Sequence, residues 1–250
     1  MDVDRATFDD CPYTPEHILS LESDPDQYAW VAEESGRIVG FVSAFATYSL
    51  AASRWEVDEL AVHPQAQGRG IGTALVARAL EEGVNQAGLT QARALVAVDN
   101  GASARVFSRC GFSPVFKVDL MLYSIVGREP RPLRDEWPTV RRAESDDLVD
   151  IAELGRCDVV RAANGLGRSK NVYLVAGSER GARAYVELLH VRTLQYEGFW
   201  VESMGLAQPE EARWARYAAS ALLSGAIEEA KRRESMDEVG YLASPDATAV

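Results

Sequence analysis

The chain has 250 residues, 47% of them hydrophobic, and a formal net charge of −12. That length suits one large domain or two of ordinary size, with enough apolar residues for real cores. No apolar run reaches the length of a transmembrane helix, the acidic start Met1-Asp-Val-Asp-Arg5 lacks the basic and apolar regions of a signal peptide, and the charge argues against a phosphate backbone as the main partner.

The expectation is therefore a cytoplasmic protein without a membrane or nucleic-acid partner. Cys11, Cys110 and Cys157 lie far apart with no metal spacing, and the three histidines are scattered, so no metal site is expected. Ten acids and one base, Arg5, stand in residues 1–34. They make either a solvated acidic surface or an acidic lip that attracts a cationic acceptor.

In chain order, Thr14-Pro15-Glu16 suits a helix start running to Leu21, with Thr14 as N-cap. Tyr28–Glu33 and Ile38–Tyr48 read as a hairpin turned at Ser35-Gly36. Val57–Val62 reads as a strand, followed by His63-Pro-Gln-Ala-Gln67 and Gly68-Arg-Gly-Ile-Gly72, then a helix from Thr73 that ends near Gly83 or Gly88. Three glycines in five residues allow a tight backbone with unobstructed N–H groups, and the helix behind them points its positive end at the same place. That is an anion site, most often for phosphate. Ala92–Val98 is a buried strand, Ala102–Arg109 a short helix, and Val115–Ile125 a last strand.

Residues 128–138, with three prolines counting Pro130, Pro132 and Pro138, read as a linker between a domain at 1–127 and a second at 139–250. The second opens with a strand at Thr139–Ala143 and a helix from Asp146-Asp147 to Leu154. Strands follow at Asn171–Ala176, Ala182–Thr193 and Phe199–Leu206. A long helix runs from Pro209 to about Arg233, and a strand spans Glu238–Ala243. The order of elements repeats that of the first half, and Ala74-Leu75-Val76 can be laid on Ala221-Leu222-Leu223. Where the first half has Gln67 to Gly72, the second has Trp214-Ala-Arg-Tyr-Ala-Ala219, with no glycine. The second copy is degenerate and incomplete: it stops where a further helix and closing strands are expected, so either a longer protein is cut short or the halves complete each other.

The glycine loop fits neither a P-loop, which needs a following Lys-Ser or Lys-Thr, nor a dinucleotide fingerprint, whose third glycine comes one place later. It reads Q-x-x-G-x-G after Leu60-Ala61-Val62. With Asp99-Asn100-Gly-Ala-Ser103 through Phe107 to Cys110-Gly111-Phe112, the sequence resembles the GNAT superfamily of acyl-CoA-dependent N-acetyltransferases over residues 28–123, and as a whole a tandem GNAT protein. The resemblance implies an α/β fold with mixed, mostly antiparallel sheets flanked by helices, and acetyl-CoA as co-substrate without a metal. It implies a splay between the strands at 57–62 and 92–98 that takes the pantetheine arm by strand-like pairing. By position, Leu60, Ala61 and Val62 look like the strand edge. Gln67, Gly68, Arg69, Gly70, Ile71, Gly72 and Thr73 look like the pyrophosphate cradle. Asn100, through its amide, and Ser103 look like cofactor contacts, and Phe107 packs near the cofactor. Arg69 and Arg105 meet phosphate or are solvated surface residues.

Acetyl transfer from a thioester needs a neutral amine, although a free alkylammonium has a pKa of about 10, and a proton for a thiolate of pKa about 8.5. The base is sought on the strand before the loop. Simple alternation puts Glu56, Asp58 and Leu60 on one face and Val57, Glu59 and Ala61 on the other. Glu56 or Asp58 is the expected base, with Glu59 in its place if a bulge breaks the alternation. For the acid, Phe107 stands where the family often has a tyrosine, which leaves Tyr123, Tyr48 or water. His63 reads as loop structure and Cys110 as packing. The expected function is direct transfer of acetyl to a small primary amine or a peptide amine. The alternative is a non-catalytic acyl-CoA-binding or scaffold protein. An oligomer is compatible with either.

Overall fold

The computed structural model describes residues 2–7, 14–87, 89–125, 137–178, 181–207, 212–233, 236 and 238–243. Cys11, Pro209, residues 244–250 and most of the expected linker at 128–138 lie outside them. The chain divides into two compact units. The first comprises Met1–Tyr48, Ser53–Phe116 and the short turn Thr193–Gln195. The second comprises Ser49–Ala52, Lys117–Arg192 and Tyr196–Val250.

In the first unit, α1 (Asp2–Thr7) and α2 (Pro15–Glu22) precede a four-stranded sheet of order β1-β2-β3-β4. The strands are β1 (Gln27–Glu34), β2 (Arg37–Tyr48), β3 (Ser53–Val62) and β4 (Ala92–Arg93). Ser35 and Gly36, with φ of 49° and 77°, form the tight hairpin turn that matches strand twist. Helix α3 (Ile71–Ala87) packs on the sheet through Leu75, Val76 and Ala79, against Val42, Ala44, Trp55 and Val57. It runs straight through Gly83 instead of ending there. A Cβ at Gly83 would lie 2.7 Å from the Trp55 ring, so this glycine lets the buried indole approach the helix backbone. Helix α4 (Gly101–Arg109) adds Phe107 to the same core.

The expected strand at 92–98 forms for two residues only. Ala92 and Arg93 run parallel to Trp55 and Glu56, and beyond them the chain leaves β3. Val57–Val62 pair with β2 on one side and with no strand on the other among the described residues.

The second unit holds a six-stranded sheet of order β5-β10-β9-β8-β7-β6. Its elements are β5 (Asp119–Ser124), β6 (Val140–Arg142), α5 (Leu148–Leu154), α6 (Val159–Leu166), β7 (Asn171–Ser178), β8 (Gly181–Arg192), β9 (Glu197–Leu206), α7 (Ala212–Lys231) and β10 (Glu238–Ala243). Its main core joins Val186, Leu188 and Phe199 of the sheet to Ala218, Leu222, Ala226 and Ala230 of α7. Helix α6, which the sequence reading passed over, is capped by Asp158, whose carboxylate accepts from the Arg161 N–H at 2.8 Å.

Strand β5 departs from expectation. It was expected to close the first half, yet it pairs along all six residues with β10, from Asp119↔Ala243 to Ser124↔Glu238. The physical reason is partner length: β4 offers two residues of ladder and β10 offers six. Tyr123 and Ile125 consequently pack into the second unit's core. Strand β5 thus belongs to the second unit's sheet. Both sheets are mainly antiparallel with helices against them, the expected mixed α/β class.

Candidate functional site

The site begins at the divergence of β3 from the chain that follows β4. A cavity of about 320 Å³ opens there, lined by Asp58, Glu59 and Leu60 of β3, Leu95, Val96 and Ala97 of the diverging segment, Asn100, Ser103 and Phe107 of α4 and its cap, and Gln195. That size is at the lower end of small-molecule clefts.

A β-bulge shapes its floor. Val42 pairs with Leu60 and Ala44 with Val57, so Ser43 stands opposite both Asp58 and Glu59. The Ser43 hydroxyl accepts the Glu59 N–H at 3.2 Å, which satisfies the backbone donor at the bulge. The extra residue resets the alternation. Trp55, Val57, Leu60 and Val62 pack with the α3 side of the sheet, so Leu60 does not share a face with Glu56 as expected. Asp58 and Glu59 both reach the cavity.

The three carboxylates have different surroundings. Glu56 is buried and fully engaged. Its Oε1 accepts from Thr47 Oγ1 at 3.0 Å and Arg54 Nε at 3.1 Å, and its Oε2 from Arg93 Nε at 2.9 Å. Glu59 is buried and accepts from Gln195 Nε2 at 3.0 Å. Asp58 presents surface to the cavity although protein surrounds it. Loss of hydration there, and then the Glu56 charge, push its pKa up to about 6 against hydrogen bonds from Ser43 and Thr193. Access and crowding do not conflict, since a carboxyl on a concave wall has both.

Beside the cavity, His63 Nδ1 accepts the Gln65 N–H and caps the short 3₁₀ turn Pro64–Ala66, a loop role as expected. Gln67 donates its amide to the Val62 carbonyl at 2.9 Å and ties the loop to the end of β3. Gly68 and Gly70 have φ of 75° and 85°, with nothing within 4 Å of where a side chain would begin. Helix α3 starts at Ile71, and its first ladder bond runs from the Ala74 N–H to the Gly70 carbonyl. The N–H groups of Ile71, Gly72 and Thr73 therefore precede the ladder and point out of the helix start. Gly72 faces Val62, Leu60 and Val106 at ordinary contact distance. The Thr73 carbonyl accepts from Cys110 Sγ at 3.6 Å, and burial raises the Cys110 pKa, so this thiol is packed and not activated. Arg69 makes a two-pronged pair with Glu34 at 2.8 and 2.5 Å, exposed to solvent, instead of standing open for an anion.

Asn100 caps α4, its Oδ1 accepting the Ser103 N–H at 3.0 Å, and it lines the cavity. Phe107 packs edge-on against Phe112, centroids 5.0 Å apart, and lines the cavity. Tyr123 lies on β5, which pairs with β10 in the second unit's sheet, and its ring packs on that unit's core. Tyr48 packs on the first core. The sequence reading missed Ser43, Thr193 and Gln195. No local pattern marks them, because each matters through a bulge or turn. Among the described residues there is no cluster of three metal-ligating side chains, and no helix is long and apolar enough to cross a membrane.

Residues 2–112 match the family model described as Acetyltransferase (GNAT) family. A solved tandem GNAT protein from the clavulanic acid biosynthesis pathway superposes with a TM-score of 0.55 and 20% identity, covering 95% of this chain and 81% of its own. The GCN5-related glucosamine N-acetyltransferase region of a fungal multi-domain GH3 β-N-acetylglucosaminidase gives a TM-score of 0.60 and 18% identity, over 98% of this chain and 34% of its own. Curated protein sequences give no match. At such identities the likeness is one of fold, and it extends over nearly the whole chain. Residues 2–112 thus match the acetyltransferase (GNAT) family model, and the chain as a whole has a fold like that of a tandem GNAT protein.

Proposed function

We propose that the first unit transfers acetyl from acetyl-CoA directly to an amine held beside Asp58. The observation that carries this reading is the junction of two features: a glycine-lined helix start opens on the same splay whose wall bears Asp58. The residues suit the cofactor. Gly68 and Gly70 leave open space where a Cβ would block a pyrophosphate. The leading N–H groups of α3 supply donors and a positive dipole end. The unpaired edge at Leu60, Ala61 and Val62 can pair with an extended pantetheine amide chain. Arg69 can turn from Glu34 to a phosphate at small cost, because exposed ion pairs are worth about 0–1 kcal/mol.

Acetyl-CoA supplies an activated acyl carbon and a thiolate leaving group. The protein's own task is proton management. At neutral pH only about one in a thousand alkylamines of pKa about 10 is uncharged. Asp58 attracts the ammonium form by charge and relays its first proton to solvent; after the neutral amine attacks the acyl carbon and the C–S bond breaks, Asp58 accepts the second proton from the cationic nitrogen. With a pKa of about 6 it is ionised at neutral pH. Once protonated it is a stronger acid than a thiol of pKa about 8.5, so passing the proton to the leaving thiolate is downhill. Glu56 is held by Arg54, Arg93 and Thr47 and serves to charge the wall. Glu59 adds a second negative group. This wall favours a cationic primary amine, small or peptidic.

The second reading is an acyl-CoA-binding protein without turnover. It draws on Phe107, which lines the cavity and has no proton to donate, so that Asp58 and Glu59 are the titratable groups of the lining. Titration calorimetry with acetyl-CoA, together with thiol release over an amine panel, separates the two. Binding with turnover is expected, binding without turnover on any amine selects the second reading, and absence of binding rejects both.

A further inference from the structure

The turn between β8 and β9 belongs to the first compact unit, and it ends at the carboxylates of the proposed acceptor site. Thr193 is buried, and its Oγ1 accepts the Gln195 N–H at 3.3 Å. A hydroxyl has one proton, and here it goes to Asp58. Two residues on, Gln195 Nε2 donates to Glu59 Oε1 at 3.0 Å. One three-residue turn thus holds both bulge carboxylates.

The second unit repeats the device. Adding 144 to residue numbers maps the bulged pair of strands onto its counterpart: Ala44 and Val57 become Leu188 and Val201, and Asp58 becomes Glu202. Within that unit the turn Ser49–Ala52 takes the matching place. Ser49 Oγ donates to the Ala52 carbonyl at 2.8 Å and lies 3.4 Å from the Glu202 carboxylate, and the Leu50 N–H donates to Glu187, the counterpart of Ser43, at 3.0 Å. A contact made twice by equivalent residues is part of the architecture. The two copies differ in what they leave open. Gln195 lines the cavity and reaches Glu59, whereas its counterpart Ala51 has no polar side chain, and Leu50 beside it is buried with Tyr173 and Tyr185.

We infer that Thr193 and Gln195 are positioning residues of the acceptor site, orienting Asp58 and Glu59 through hydrogen bonds so that one carboxylate takes the proton while the other holds the cationic amine. This rests on the acetyltransferase reading above. The groups that face Asp58 are Ser43 from β2, Glu56 and Glu59 from β3, and Thr193 from the turn, with Arg54 and Arg93 compensating Glu56. The diverging segment contributes only Leu95, Val96 and Ala97, and the start of α4 the uncharged Asn100 and Ser103.

The test is Thr193→Val, Thr193→Ser and Gln195→Met in the full chain, with kcat and KM measured from pH 5 to 9 and the Asp58 side-chain carboxyl titrated by ¹³C NMR. Removing the Thr193 hydroxyl takes away a bond that favours the ionised form, so the acid limb and the NMR midpoint should both rise by about one pH unit. Turnover below the limb then falls roughly tenfold and recovers near pH 8, and Thr193→Ser restores the original limb. Gln195→Met, at an exposed position that does not threaten folding, should raise KM for the amine about tenfold with kcat and acetyl-CoA affinity nearly unchanged. An unmoved NMR midpoint in Thr193→Val, or an unchanged amine KM in Gln195→Met in a protein that turns over, overturns the inference. If the unaltered chain acetylates no amine, the functional reading fails, while the NMR midpoint still decides whether Thr193 positions Asp58.

Discussion

The two units share an architecture but differ at the one place where an acyl-CoA would need them to agree. Both have a bulged antiparallel pair, a strand that joins its neighbour in parallel for only a few residues, and a long helix with a buried acid on its inner side. Glu82 of α3 and Glu229 of α7 are those acids, held by Arg78 and by Arg142 with Arg232. In the first unit the helix is preceded by a glycine loop with two residues at positive φ. In the second, residues 214–217 are already helix, because α7 starts at Ala212. Helical N–H groups from Ala215 onward are consumed in the ladder, including those of residues 218–220 that lie on 71–73 of the first unit, and Trp214 covers core and stacks under Arg183. The second copy kept the packing and lost the free donors.

The largest effect that would test this asymmetry is at Asp58. Asp58→Asn should cut turnover by about 10²–10⁴-fold and leave acetyl-CoA affinity unchanged. Its stability effect has a definite sign. Because the folded pKa of Asp58 lies above the unfolded value, its contribution is fully present below pH ~4 and is lost as pH rises through about 6. Thermal unfolding should therefore show the variant more stable than the parent at pH 7–8 and equal to it at pH ~3.5. Turnover in the parent should fall as pH drops through about 6. An Asn variant that retains turnover removes Asp58 from the base role.

Next in size is the loop. Gly70→Val forces a β-branched side chain into a left-handed conformation, at a cost of about 1–2 kcal/mol or a shift of the backbone. Acetyl-CoA affinity should fall roughly ten- to thirtyfold by calorimetry. Gly72→Ala adds a methyl at normal contact distance from Val106, so it should bind within about threefold of the parent. If both variants bind alike, loop conformation is not what distinguishes the units.

Much of this was legible in the chain itself, where the signal is local. The hairpin, the helix behind the glycines and the weakness of the second loop follow from turn chemistry and periodicity. Three things were not. The bulge at Asp58 and Glu59 turns Leu60 to the other face, and it depends on Ser43, sixteen residues from Glu59, to satisfy the freed N–H. Strand β5 chooses β10 over β4 by the length of ladder offered, a choice between distant segments. Gln195 reaches Glu59 across 136 positions. Each is a competition between partners that no window of sequence contains.

A smaller effect is expected at Glu56, which sequence alternation favoured as a base. Its carboxylate sits between two arginines, so Glu56→Gln should cost about 2–4 kcal/mol of stability, as for a broken buried ion pair. Removing its charge also relieves Asp58. The acid limb of turnover should move to lower pH, with the rate at pH 7.5 within about threefold of the parent. Turnover lost at every pH in a folded variant would return Glu56 to the centre of the chemistry.

The smallest effect on activity belongs to the second unit's own buried carboxylate. Glu187 accepts from the Leu50 N–H, from Tyr173 Oη at 2.5 Å and from Ser203 Oγ at 2.8 Å, and burial raises its pKa. It stands where the first unit has Ser43, and Leu50 fills the space beside it, so it has ample donors but no room for a substrate. Glu187→Gln removes one acceptor site, at about 1–3 kcal/mol, and at the same time removes a charge that burial disfavours. The two changes oppose each other, so the melting temperature should move by only a few degrees, least of all at neutral pH, where the buried charge is most costly. Turnover should stay within about twofold. A tenfold loss in a folded variant would mean that the sealed copy takes part in the reaction, and the division of labour between the units would have to be redrawn.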